Sequence, residues 1–182
     1  MSTNFVALLR SINVGGNNRV PMEDLRKLFA LAGASDISTY IQSGNVAFRH
    51  KPVAEAKLRK QLEAALLERF GFAVPVVLRA HEELAQTLAR NPFLTRGVDA
   101  KELHVCFLND APAAPAFARL DPKRSPPDEF ALVGRELYLR HPNGVGNSKL
   151  TLAYLEKCLG TSGTARNWNT VNKLFEMSRP AP

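Results

Sequence analysis

Apolar positions along the first part of the chain switch between two periods, and each switch marks an element. Phe5 to Ile12 is an apolar run of strand length. Pro21 to Gly33 carries Leu25, Leu28 and Leu31/Ala32 at helical spacing, with Pro near the start and Gly as the stop. Asp36 to Ile41 alternates Ile37, Thr39 and Ile41 with Ser38 and Tyr40, and Val46 to Arg49 alternates again after Gln42-Ser43-Gly44-Asn45, which predicts a hairpin. Between Ala54 and Phe70, Leu58, Leu62, Leu66 and Phe70 recur at every fourth residue as far as Gly71, and Val74 to Leu78 returns to strand character. The order is βαββαβ, the split βαβ of ferredoxin-like type, whose antiparallel sheet carries both helices on one face. Its fourth strand belongs at an edge, where Pro75 is tolerated because it has no N–H to lose from the ladder.

The second half repeats the pattern less cleanly. His81 to Arg90 predicts a connecting helix, Leu103 to Leu108 a buried strand, and the Pro-rich stretch Pro112 to Pro127 at most a short helix around Phe117 and Leu120. Phe130 to Val133 and Leu137 to Arg140 flank Gly134-Arg135, a two-residue turn with Gly first. Ser148 to Leu159 and a segment opened by Asn167 or Asn169 predict two further helices, so this half closes on a helix in place of a fourth strand. The expectation is an α+β chain of two ferredoxin-like halves with antiparallel sheets, residues 1–80 and 81–182, the second modified and ending in helices. In the first strand Phe5, Ala7 and Leu9 point one way and Val6 and Leu8 the other, so both sheet faces need cover. The other half of the chain is the simplest cover and a dimer partner the rival; the pattern leaves the oligomeric state open.

Composition narrows the class. Across 182 residues, 45% hydrophobic and 23% charged is ordinary globular usage, and no apolar run approaches the about 20 residues of a membrane-spanning helix. The N-terminal segment has no basic region and no small-residue cleavage site, and two cysteines without C-x-x-C spacing suit reduced, buried thiols, so a cytoplasmic protein is expected. Lys and Arg outnumber Asp and Glu by 24 to 17, a net charge of +7 that suits an anionic partner.

Four stretches carry a family likeness: Leu8 to Asn17 (LLRSINVGGN), Tyr40 to Phe48 (YIQSGNVAF), Gly146 to Leu150 (GNSKL) and Arg166 to Val171 (RNWNTV). Together they resemble the domain of unknown function 1697 family of bacterial proteins. The resemblance implies a two-part α+β fold of ferredoxin-like type and a cytosolic bacterial origin, and brings no established activity, ligand or catalytic residue. One departure is Ser11, where the family usually has Gly.

The same stretches hold the candidate chemistry. Asn13-Val14-Gly15-Gly16-Asn17-Asn18-Arg19 puts two glycines, amides and a cation before a helix, where backbone N–H groups can wrap an anion, although a tight turn needing positive φ explains the glycines equally well. Gln42-Ser43-Gly44-Asn45 is a hairpin turn first; no G-x-S-x-G elbow surrounds Ser43, and the four histidines lie on separate elements without metal-ligand spacing. Ser148-Lys149 opens a predicted helix with a cation in the first turn, against the helix dipole, but without the order of a P-loop. Arg166-Asn167-Trp168-Asn169 adds a cation, two amides and the only Trp, whose commoner role is a core anchor.

Gathered in a cleft between the halves, Arg10, Arg19, Lys149 and Arg166 would serve as charge partners, with Asn13, Asn17, Gln42, Asn45 and Asn167 as hydrogen-bonding groups, for a phosphate-bearing small molecule or nucleotide. Gly15, Gly16, Ser43, Ser148 and Trp168 complete that candidate set. A hydrolase or transferase acting on such a ligand and a nucleic-acid binder using the whole basic surface are the rivals. No catalytic residue, cofactor or metal is legible.

Overall fold

The computed structural model describes residues 2–180. By packing, the chain groups into two compact units, residues 1–85 with 173–182, and residues 86–172.

In the first unit β1 (Thr3–Leu9) is followed by α1 (Met22–Leu31), β2 (Ser35–Tyr40), β3 (Asn45–His50), α2 (Glu55–Phe70) and β4 (Val76–Ala80), and α3 (His81–Ala89) starts without a break. The sheet order is β2-β3-β1-β4, with every neighbour antiparallel. Phe5, Ala7 and Leu9 of β1 join Val46, Phe48, Val76 and Leu78 under α1 and α2, whose Leu25, Phe29, Leu58, Leu62 and Leu66 are fully buried. The i, i+4 leucines thus form the inner stripe of α2, as their spacing predicts. The opposite face is equally dry: Val6, Leu8, Ala47 and Val77 are all buried, as is Arg79, whose Nη1 donates to the Leu78 carbonyl at 2.8 Å. The closing segment returns to this unit. Asn4 Nδ2 donates to the Ser178 carbonyl at 3.0 Å, and the Ser178 hydroxyl, itself donating to the Phe175 carbonyl, accepts from His81 Nδ1 at 2.9 Å while the His81 ring stacks on Phe175.

The second unit has β5 (Leu103–Leu108), α4 (Ala114–Phe117), β6 (Glu129–Val133), β7 (Glu136–Arg140), α5 (Leu152–Leu159) and β8 (Gly163–Asn167), and α6 (Trp168–Met177) follows directly. Its order, β6-β7-β5-β8, is that of the first sheet with β5 in the place of β1. Cys106, Leu108, Leu137 and Leu139 pack with Leu120, Leu150, Leu155 and Leu159, while Val105, Phe107 and Tyr138 are buried on the other face.

Two expectations for this half need correcting. A fourth strand exists: Gly163 to Asn167 pairs along β5 from Leu108 to His104. It escapes the apolar pattern because Gly163, Thr164, Ala165, Arg166 and Asn167 contain no large apolar residue, and as an edge strand it needs a backbone ladder on one side only. Gly163 in particular is required by closeness, since a Cβ there would lie 2.6 Å from the Phe107 carbonyl oxygen. The helix expected from Ser148 begins at Leu152, with Thr151 as its cap accepting from the Tyr154 N–H, so Lys149 lies ahead of the helix and does not oppose its dipole.

One glycine is decisive for how the first unit's loops meet its sheet. Gly44, at φ +78°, accepts the Leu9 N–H at 2.8 Å, and a Cβ on it would sit 2.6 Å from Leu9 Cβ and 2.9 Å from Ile12 Cδ1. Gly71, the C-cap of α2, has the same φ with nothing within 4 Å. Gly71→Ala should therefore cost about 1 kcal/mol of backbone strain, and Gly44→Ala about 3 kcal/mol because overpacking is added. Urea denaturation of the two variants checks this; equal losses would show that the Gly44 turn relaxes freely.

Candidate functional site

The candidate residues fall into one set in each unit. In the first, β1 runs out into a loop, Ser11 to Arg19, exposed from Val14 onwards, which meets the β2–β3 turn, Ile41 to Gly44. Asn13 joins the two. Its Nδ2 donates to the Gln42 carbonyl at 2.8 Å and the Val20 carbonyl at 3.0 Å, and its Oδ1 accepts the Val20 N–H at 2.9 Å. Asn18 Nδ2 donates to the Ser11 carbonyl at 3.0 Å, and the Asn13 N–H to the Asn18 carbonyl at 3.1 Å. The tip is a miniature hairpin: Val14 and Asn17 form a bridge, closed by Gly15 and Gly16 at φ +58° and +80°, the signs that a type I′ turn demands. Asn45 is fully buried, its Nδ2 donating to the Tyr40 carbonyl at 3.1 Å and to Ser43 Oγ at 3.0 Å. Asn13 and Asn45 thus hold the loops in shape, whereas Asn17, Arg19 and Gln42 are exposed and Arg10 is half-buried, its N–H on the Pro75 carbonyl.

The backbone here is unusual. Of the five described non-glycine residues with positive φ, Ser11, Asn13, Asn18 and Ile41 lie in these two loops. Asn tolerates that region, but Ile41 at +49° is β-branched, and such a residue pays about 1–2 kcal/mol to be there. The position where the family usually has Gly, Ser11, is one of the four, at +56°. The fifth, Asp36, sits where β2 slips register against β3. Acidic side chains are absent from both loops; Glu23 and Asp24, in the first turn of α1, are bound by Lys27 at 2.7 Å and Arg69 at 3.0 Å.

In the second unit the loop ahead of α5 is held by a carboxylate that sequence inspection passes over. Asp128 accepts from Ser125 Oγ at 2.7 Å and from the Ser148 hydroxyl, and lies 3.3 Å from His141 Nδ1. Burial works against its ionisation, but the two hydroxyls and His141 outweigh that and hold the carboxyl below its usual range. Both serines also accept backbone donors, Ser125 from the Lys149 N–H and Ser148 from the Leu150 N–H. Arg124 lies over the Tyr154 ring at 3.9 Å and donates to the Lys149 carbonyl. Ser148 and the Lys149 backbone are therefore committed to the fold, and the Lys149 side chain is exposed.

Asn167 is the N-cap of α6, its Oδ1 accepting the Thr170 N–H at 2.8 Å, and Trp168 beside it is only 6% exposed, as a core anchor is. Arg166, on β8, donates to Thr164 Oγ1 and the Ala165 carbonyl; dehydration pushes its guanidinium down to about 10. A different hollow of the first unit, about 620 Å³ between α1 and α2, involves none of the candidates; Leu28, Leu31, Ala65 and the Asp24–Arg69 ion pair line it. Among the described residues no group of three or more His, Cys, Asp or Glu stands close enough to hold a metal ion, and no helix is long and apolar enough to cross a membrane.

Asn13→Ala should lose about 2 kcal/mol of stability, since three hydrogen bonds vanish and two carbonyls and an N–H are stranded. Asn17→Ala and Lys149→Ala should stay within about 0.5 kcal/mol of the parent, as exposed substitutions do. Thermal unfolding of the three variants checks the division between framework and free groups.

Comparison with known proteins agrees with the fold. A solved structure of the conserved bacterial protein SP0830 from Streptococcus pneumoniae matches 98% of this chain and 100% of that one with a TM-score of 0.76, at 21% sequence identity. No curated protein matches the sequence. The family described as a protein of unknown function, DUF1697, matches residues 2–138, and the chain belongs to that family.

Proposed function

We propose that the protein binds a phosphate-bearing small molecule or nucleotide at the loop end of the first unit's sheet, with Arg10 and Arg19 as charge partners and Asn17, Gln42, Ser43 and the Gly15-Gly16 turn as hydrogen-bonding groups. The observation that carries this is the concentration of left-handed residues in two loops that Asn13 ties together. Strained backbone persists only where surrounding structure over-determines it, and it clusters at ligand sites. A solvent-exposed connection needs no Ile at positive φ, yet Ile41 is there, and Val14 is exposed close by in sequence to the two glycines.

Charge gives the ligand's sign. The segments 10–20 and 40–45 contain two arginines and no acid or histidine, so a bound anion would be the compensating charge. The same inventory favours binding over catalysis, because a hydrolase or transferase would have to bring its general base from elsewhere.

Calorimetry with inorganic pyrophosphate, AMP and ATP tests the proposal. At least one should bind, and Arg19→Ala should weaken it by about tenfold to a hundredfold, the worth of a charged hydrogen bond, with unchanged stability. No binding by any of the three, or equal binding by Arg19→Ala, would contradict it. Preference for an oligonucleotide, with affinity falling steeply in salt, would instead favour a nucleic-acid binder.

A further inference from the structure

The strand register of the second unit brings together residues that the sequence keeps far apart. His104 lies on β5, His141 follows β7 and Asp128 precedes β6; all three belong to the sheet face covered by α4 and α5, at the same end of the sheet. The imidazoles of His104 and His141 meet edge to face with centroids 5.3 Å apart, and His141 is 1% exposed. The Nδ1 atoms of both rings are buried without a hydrogen-bond partner among the described residues, although His141 Nδ1 is 3.3 Å from Asp128. A buried polar atom left in this state favours whichever protonation or opening event supplies it with a partner.

We propose that the His104–His141–Asp128 cluster is an acid-released latch: a neutral His104 imidazole keeps the 121–128 turn and the 141–149 loop closed on one another, and proton uptake by that ring opens them.

The chain of contacts gives the coupling. Asp128 holds Ser125 and Ser148, and those serines hold the backbone N–H groups of Lys149 and Leu150, so anything that shifts Asp128 or His141 acts directly on the segment ahead of α5. Burial first, and the neighbouring His141 next, push the His104 imidazole below its ordinary range, against a hydrogen bond to the Glu102 carbonyl that works the other way. Other charged groups of the region are already committed. Glu102 and Glu129 carboxylates bind Arg140, Glu129 also binds Arg96, Arg124 is drawn to Tyr154 and the Lys149 carbonyl, and Asp128 is bound by Ser125 and Ser148.

The sign follows from linkage. A histidine lowered in the closed state contributes its full stability above the ordinary histidine pKa. As pH falls through that value the open form takes up a proton that the closed form refuses, and closure weakens.

Amide hydrogen exchange of the whole protein, corrected for intrinsic rates, tests the latch. Between about pH 7.5 and about pH 5, peptides from 121–128 and 141–149 should lose protection by about fivefold or more relative to β5 and β7, the range in which histidine titrates. His104→Gln keeps a donor for the Glu102 carbonyl without a titrating ring, and should abolish most of that difference. Should this variant not fold, a direct NMR titration of the parent's imidazoles replaces it, with His104 expected to titrate below free histidine. Equal loss of protection throughout the second unit, the same pH response in His104→Gln, or an ordinary titration of His104 would overturn the latch.

Discussion

Each sheet depends on one strand that must be apolar on both faces. β1 and β5 are the central strands of their sheets, each paired on both sides, so they donate and accept along two ladders while presenting side chains to two dry layers. Val6, Ala7, Leu8 and Leu9 are fully buried, as are Val105, Cys106, Phe107 and Leu108. A polar group placed at any of these positions would lose water with no partner to replace it, a cost of about 1–3 kcal/mol or more. These fully buried positions can therefore carry no polar chemistry, which leaves it to the strand ends, where His104 lies, and to the segments that leave the strands.

Those segments are built with more hydrogen bonds than a connection requires. At the end of β1 a single amide, that of Asn13, satisfies two carbonyls and one N–H on two different segments and fixes the β1–α1 loop against the β2–β3 turn. Ahead of α5 a single carboxylate, Asp128, gathers two serines and a histidine. In both places a polar side chain stands in for core packing, which lets an exposed loop keep a defined shape while leaving other side chains, Arg19 and Lys149 among them, facing solvent. The first arrangement holds four non-glycine residues at positive φ; the second encloses two titratable rings.

How far the chain could be read depended on whether a feature is local. The apolar run of β1, the i, i+4 leucines of α2 and the Gly134-Arg135 turn are local, and they formed the elements their spacing predicts. β8 was illegible because edge pairing with β5 asks for backbone alone, and small or polar residues satisfy it. The start of α5 was misplaced because Ser148 has the chemistry of a cap, but its hydroxyl serves Asp128 and the Leu150 N–H while Thr151 caps the helix. In the candidate set the residue types were legible and the roles were not. Nothing in the sequence distinguishes Asn13 or Asn45, consumed by the fold, from the exposed Asn17. Likewise His104 and His141 become neighbours only once β5 and β7 are in register.

The proposed anion site is the strained loops at the end of β1, as opposed to basic surface in general. Mapping of backbone amide chemical shifts during titration with inorganic pyrophosphate tests it directly. Saturable shifts are expected at Gly15, Gly16, Asn17, Arg19, Gln42 and Ser43, with Val105 and Phe107 of β5 unmoved. Shifts scattered over lysines and arginines of both units without saturation, or centred on Ser148 and Lys149 alone, would contradict it.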